Sequence, residues 1–174
     1  MSDATPTPID DVTRRLLRHT VATLAYRAGK VLRDAPDGFG DVRASASSRS
    51  AAEILGHMVD LLAWGERLAR GEYRWEAGGV TDWPTGVTRF FDGLAAFDRA
   101  LAETTAPFSA EVLFQGPIAD ALSHTGQLAM LRGLAGAAVR PESYARATIE
   151  AGRVGADQAP PGREFDGDAS RPVR

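Results

Sequence analysis

Three side chains able to ligate a metal ion, His57, Asp120 and His124, sit in helical patterns that place them on or beside apolar stripes. His57 occupies one position of the stripe Ile54, His57, Leu61, Trp64, Leu68, whose steps of three and four residues mark one face of a helix. Asp120 and His124 are four residues apart and so adjacent on one helical face; they open the stripe Asp120, His124, Gln127, Leu131, Leu134. A carboxylate or imidazole buried without a partner is costly, so these groups need one another or a ligand. If His57 faces the pair, two imidazoles and one carboxylate converge. Three protein ligands leave a position for water, the arrangement of a catalytic zinc site or a non-haem iron site. A cation held there lowers the pKa of a water or a thiol and makes it nucleophilic near neutral pH.

Each of these residues also has a plainer reading. A single histidine on an apolar stripe is often a hydrogen-bonded core residue. Asp120 closely follows Pro117, and a carboxylate in a first helical turn complements the helix dipole. The neighbouring stripe Ile118, Leu122, Thr125, Ala129 offers a second candidate core face for the same helix. Glu53 and Asp60 flank His57 at i−4 and i+3; with Gln127 they are candidates for orienting the imidazoles, the alternative for the two acids being solvated charge. His19, on a possible stripe Val12, Leu16, His19, Thr23, Tyr26, is a spare ligand candidate. Tyr26, Trp64, Trp75 and Trp83 read as packing residues rather than a substrate platform. There is no GxSxG elbow, no GxxxxGK[ST] loop and no CxxC pair.

The elements that must position these residues are helices. Thr7-Pro8 opens the first, with Thr as cap and Pro where no hydrogen bond is lost, and Asp10 and Asp11 suit its positive end. It runs to about Asp34 and stops at Pro36-Asp37-Gly38. Ser50 and Glu53 form a capping box for a second helix from about Ser50 to Arg70, which Gly71 ends. A third, from about Pro84 to Glu103, carries the wholly apolar stripe Val87, Phe90, Leu94, Phe97, Leu101; a fourth runs from near Pro117 to near Gly136. EVLFQGP, residues 111–117, has the form of a picornaviral 3C protease site. It leads straight into helical periodicity, so it reads as native sequence, a loop ending in Gly116-Pro117. The loops at 35–49 and 71–83 are long for a minimal bundle, as loops that cover a site are. Four amphipathic helices without strands imply an all-α four-helix bundle over residues 1–155, with a Gly/Pro-rich C-terminal extension, residues 156–174, expected to be a mobile tail.

Composition narrows the function classes. With 174 residues, 44% hydrophobic and 25% charged, the chain is expected to form one globular domain. A net charge of −3 and dispersed arginines argue against nucleic acid as a partner. The absence of cysteine excludes disulfides, a Cys nucleophile and a Cys-ligated metal. MSDATPTPIDD has no apolar segment of a secretory signal, and no run approaches the roughly 18 apolar residues of a membrane span. A cytoplasmic location and no membrane partner are expected.

Three segments, EILGHMVDLLAWGERLARGE, FQGPIADALSHTGQLAMLRGLAG and VRPESYARATIEAGRVGADQ, resemble the DinB-like superfamily of bacterial metal-binding four-helix bundles, as does RRLLRHTVATLAYRAGKVLRDAP. The resemblance covers roughly residues 9–158, and its most specific part is the H-x-G-Q run from His124 to Gln127. It implies up-down-down-up connectivity, a homodimer, and a divalent metal, zinc or nickel with iron as a further option. In that family one histidine of the second helix and a histidine pair, four apart, on the last helix hold the metal. His57 matches the first and His124 the second of the pair; Asp120 stands where the family has the pair's first histidine. An oxygen ligand there favours harder metals. The implied activity is metal-dependent transfer of a low-molecular-weight thiol, with hydrolysis as a variant; lacking cysteine, the chain must receive the thiol as a cosubstrate. The alternative is a non-catalytic dimeric binding or stress-response bundle whose polar site is structural or vestigial.

Overall fold

Asp10 starts the first helix by accepting a hydrogen bond from Thr13 N at 2.8 Å, leaving α1 to span Asp11–Leu32. The computed structural model describes residues 10–103 and 109–165, so the Thr7-Pro8 start lies outside the described residues. α1 buries Leu17, Val21, Leu24, Ala28 and Val31 rather than the stripe through His19; Val12 and Leu16 stay exposed at 65% and 63%. The buried stripe is apolar throughout, whereas the other would have carried the His19 imidazole inward. α2, Ala51–Ala69, begins at the capping box: Ser50 Oγ accepts from Glu53 N, and Glu53 Oε2 accepts from Ser50 N at 2.6 Å. Gly71, at φ +93°, closes it in a left-handed turn. α3, Trp83–Glu103, buries Phe90, Leu94, Phe97 and Leu101 as its stripe requires.

The last helical member begins earlier than the sequence suggests. Ser109 caps α4, Ala110–Leu113, which passes through a π turn, Phe114–Ile118, into α5, Ala119–Leu134. EVLFQGP is therefore helical, and Pro117 lies inside the rod instead of starting it. Proline lacks an N–H and its ring collides with the carbonyl four residues back in a regular α-helix. A single wide turn with one extra residue relieves that collision. The core face of α5 is Ala121, Thr125, Leu128 and Leu131, close to the alternative stripe; Leu134 is exposed.

Side-chain contacts fix the directions. Arg18 pairs with Asp98 at 2.8 Å while Gly29, further along α1, faces the earlier Phe91, so α1 and α3 are antiparallel. Gly86 faces Leu55, Gly93 faces Leu62 and Gly65 faces Phe97, so α2 and α3 are parallel neighbours. His57 meets Asp120 and Trp64 meets Gly116, which sets α5 against α2. Arg132 donates to the carbonyls of Val31 and Arg33 at 2.9 Å, bringing the C-terminal ends of α1 and α5 together. The helices run up, down, down, up, and α1, α3, α2 and α5 follow one another around the bundle. Among the described residues there are no strands, only isolated bridges at Arg43–Ser50 and Glu142–Glu164. No described helix is long and apolar enough to cross a membrane.

Parallel α2 and α3 force residues 70–82 to travel back along the bundle. The 19 residues of α2 rise about 28 Å at ~1.5 Å each, a span that the connecting segment covers only when extended. Gly78 N donates to Asp60 Oδ1 at 2.8 Å, and the backbone of Gly79 and Val80 lies over Gly56, so this crossover is held against α2. Beyond α5 the chain returns along α1. The Glu142 side chain, fully buried, accepts from Tyr26 Oη at 2.6 Å and Lys30 Nζ at 2.9 Å, and Lys30 also meets Glu164 at 2.6 Å. Burial alone would raise the Glu142 carboxyl; the donors outweigh it and hold it below the usual range. Gln158 packs on Gly29 and Ala159 is buried, so the stretch expected to be tail from Ala156 is docked on α1 as far as Glu164. Residues 166–174 lie outside the described residues.

A Cβ at Gly65 would lie 2.8 Å from the buried Phe97 ring. Gly65→Ala is therefore expected to destabilise the chain by about 1–3 kcal/mol in urea unfolding despite alanine's better helix propensity; a gain in stability would show the α2–α3 contact to be loose. Because 3C protease needs an extended substrate, a peptide of residues 109–120 should be cut to completion while the folded protein stays intact. Equally fast cutting of both would show that α4 and the π turn open readily.

Candidate metal centre

The capping box fixes where α2 starts, and the helical repeat then turns His57 toward α5. The other two candidates come from consecutive turns of α5. His57 Nε2 lies 3.4 Å from Asp120 Oδ2, and His124 Nε2 lies 3.4 Å from Asp120 Oδ1. One ligand atom from each of the three residues falls within 4.8 Å of the other two. The imidazole rings stand edge to face, with centroids 4.9 Å apart and planes at 89°. A nitrogen–oxygen separation of 3.4 Å is long for a hydrogen bond of either imidazole. The two contacts go to different oxygens of Asp120, so its carboxylate stands between the imidazoles and faces each with one oxygen. Two imidazoles and a carboxylate gathered this closely could hold a divalent cation, with one carboxylate charge to offset it.

The partner on the other nitrogen of His124 agrees with this. His124 is 9% exposed, and its Nδ1 lies 2.8 Å from Gln127 Oε1. With Gln127 Oε1 as the acceptor, Nδ1 is the donor and Nε2, facing the Asp120 side, is the nitrogen left to ligate. A metal-binding histidine is oriented in this way by a partner on its other nitrogen.

The π turn bears on Asp120. Because α4 feeds α5, Asp120 is not in the first turn of a free helix, and Ile118, which precedes α5, is itself helical. The dipole explanation for a carboxylate at this position loses its basis. Gly116 serves the approach of the two elements: a Cβ there would meet the Trp64 ring at 3.0 Å, so glycine lets the π turn press against α2. On the opposite side the crossover lays Trp75 beside His57, with ring centroids 5.7 Å apart, and Trp75 in turn contacts Trp64. By type and position these aromatics read as packing residues; Trp75, 45% exposed, packs on the site itself.

The remaining candidates fall elsewhere. Glu53 completes the capping box and pairs with Arg43 at 2.8 Å, so its carboxylate is used at the helix start and not at His57. Asp60 is buried and anchors the crossover through Gly78. His19 is exposed on α1, away from the converging set. Of the residues considered for orienting the imidazoles, Gln127 is the one bonded to a ligand ring.

Gln127 is exposed, so its replacement spares the core. Gln127→Leu is expected to weaken zinc affinity by about 10- to 100-fold in competition with a chromophoric chelator, at unchanged melting temperature. Unchanged affinity would remove Gln127 from the centre.

The sequence matches no family model, and the chain matches no curated protein and no solved structure.

Proposed function

We propose that this chain is a DinB-like, divalent-metal-binding protein whose cation is held by His57, Asp120 and His124, and that it acts as a metal-dependent thiol transferase. The observation that carries the metal reading is the convergence of two Nε2 atoms on one carboxylate, with His124 fixed in the ligating tautomer by Gln127. The up-down-down-up course of the helices, derived from their contacts, supports the DinB reading because it is the connectivity the sequence resemblance implies. Zinc or nickel suits two imidazoles and one carboxylate, with iron next.

When bound, the cation supplies Lewis acidity toward a thiol or a water on its open side. The chain's own residues do the rest. Gln127 holds the His124 proton on Nδ1, Trp75 shields the His57 ring from solvent, and Asp120 supplies negative charge between the imidazoles. Since no cysteine is present, the nucleophilic sulfur belongs to a low-molecular-weight cosubstrate. A second reading, a non-catalytic homodimer with a structural polar seam, draws on the exposure of Val12 and Leu16 on α1.

Metal analysis of protein prepared without a polyhistidine tag decides between them. The expected result is about one divalent ion per chain, lost in His57→Ala and in Asp120→Ala while far-ultraviolet circular dichroism keeps its helical form. A wild type that contains no metal and takes up neither zinc, nickel nor iron overturns the metal reading and leaves the structural one.

A further inference from the structure

Beside the metal centre lies a cavity of about 360 Å³. His124, Gln127 and Leu131 line it from α5, Ile54 lines it from α2, and Ser48 and Arg49 close it from the loop before α2. Its size is at the small end of ligand pockets, and most of its wall is apolar. Met130, 56% exposed, stands at its edge.

The loop that closes this cavity is built with care. Arg43 donates to Ser48 O at 2.7 Å and pairs with Glu53 Oε2 at 2.8 Å, so one guanidinium ties the loop to the start of α2. The Arg43–Ser50 bridge and the Ala51 N to Val42 O bond close its base. Within it, Ser45 N donates to Ser48 Oγ at 2.9 Å. These bonds leave Arg49 on the cavity wall, exposed and without an acidic partner among the described residues. No acidic side chain lines the cavity at all.

Resting on the metal reading above, we propose that this cavity holds the organic part of the ligand that reaches the metal centre. The ligand is a compact molecule with an apolar body and one carboxylate, which pairs with Arg49. The chemistry follows from the wall. Ile54, Leu131 and Met130 favour an apolar body; a planar guanidinium with free donors matches a carboxylate in a two-bonded fork. A cationic ligand would meet Arg49 with no counter-charge, and a multiply charged phosphate would bring more negative charge than the one arginine of the wall offsets.

The test uses hexanoate as probe, with hexanamide and hexylamine as its neutral and cationic counterparts, titrated by ligand-observed nuclear magnetic resonance. The protein is the full chain, zinc-loaded, as wild type, Arg49→Ala and Met130→Glu, with metal content measured for each. Hexanoate is expected to bind saturably to the wild type, and about tenfold more weakly to Arg49→Ala, whose metal content is unchanged. Hexanamide should bind about tenfold more weakly than hexanoate, and hexylamine should not bind. Met130→Glu, at a surface position outside the core, should also lose hexanoate. In His57→Ala, which removes a metal ligand but no part of the cavity wall, Arg49-dependent binding should persist. Absence of hexanoate binding, or equal binding by wild type and Arg49→Ala, overturns the proposal; the second result would mean the carboxylate goes to the metal instead. If the wild type takes up no metal, the metal reading falls on its own. Hexanoate titration of that metal-free protein then decides the cavity separately: Arg49-dependent binding upholds it as a carboxylate site, and none overturns it.

Discussion

The parallel packing of α2 on α3 is the constraint from which most of the molecule follows. Antiparallel neighbours can be joined by a short turn, but parallel ones oblige the chain to return along the full length of a helix. Residues 70–82 make that return against α2, pinned at Gly78 by the buried Asp60 carboxylate. In doing so they carry Trp75 onto the ring of His57. The segment demanded by topology thus also packs on one of the three converging side chains, so the fold and the candidate site cannot be described apart.

A second asymmetry separates the two halves of the bundle. The stripe of α3 is entirely apolar and packs so closely on α2 that glycines stand at Gly65, Gly86 and Gly93 along the contact. The facing side of α2 meets α5, and there the polar groups gather: His57, Asp120, His124 and Gln127. Concentrating polarity on one seam lets the other supply apolar burial without interruption. The C-terminal strap adds a further polar cluster on α1, where Glu142 is surrounded by Tyr26 and Lys30 and so remains charged while buried.

Much of this was legible in the residues, and the remainder has identifiable causes. The α2 start was readable because a capping box is local: Ser50 and Glu53 specify it within one turn. The α3 stripe was readable because no polar residue interrupts it. His57, Asp120 and His124 were singled out by type and period, and they do converge. The sequence of α1 supports two stripes, and choosing between them requires knowing where the neighbouring helices lie. Glu53 stands one turn from His57 in sequence, yet as a capping carboxylate it is already committed to the backbone of Ser50. Gly116-Pro117 reads as a loop end because both residues ordinarily break helices; what rescues the helix, a π turn pressed against Trp64, depends on a tertiary contact. The docked stretch around Glu164 was hidden for the same reason, since its partner Lys30 lies far away in sequence.

The π turn also sets a phase. An additional residue rotates everything after it by about 100° relative to what precedes it. A helical wheel drawn through residues 110–134 as one helix therefore mixes two registers and blurs both apolar faces. The packing of α4 and the aim of α5 are consequently geared separately. Losing or gaining one residue near Pro117 would swing Asp120 and His124 together, as a unit, around an otherwise unchanged rod. A lineage could disengage or restore such a centre by a single-codon insertion or deletion, leaving both histidines and the aspartate in its gene.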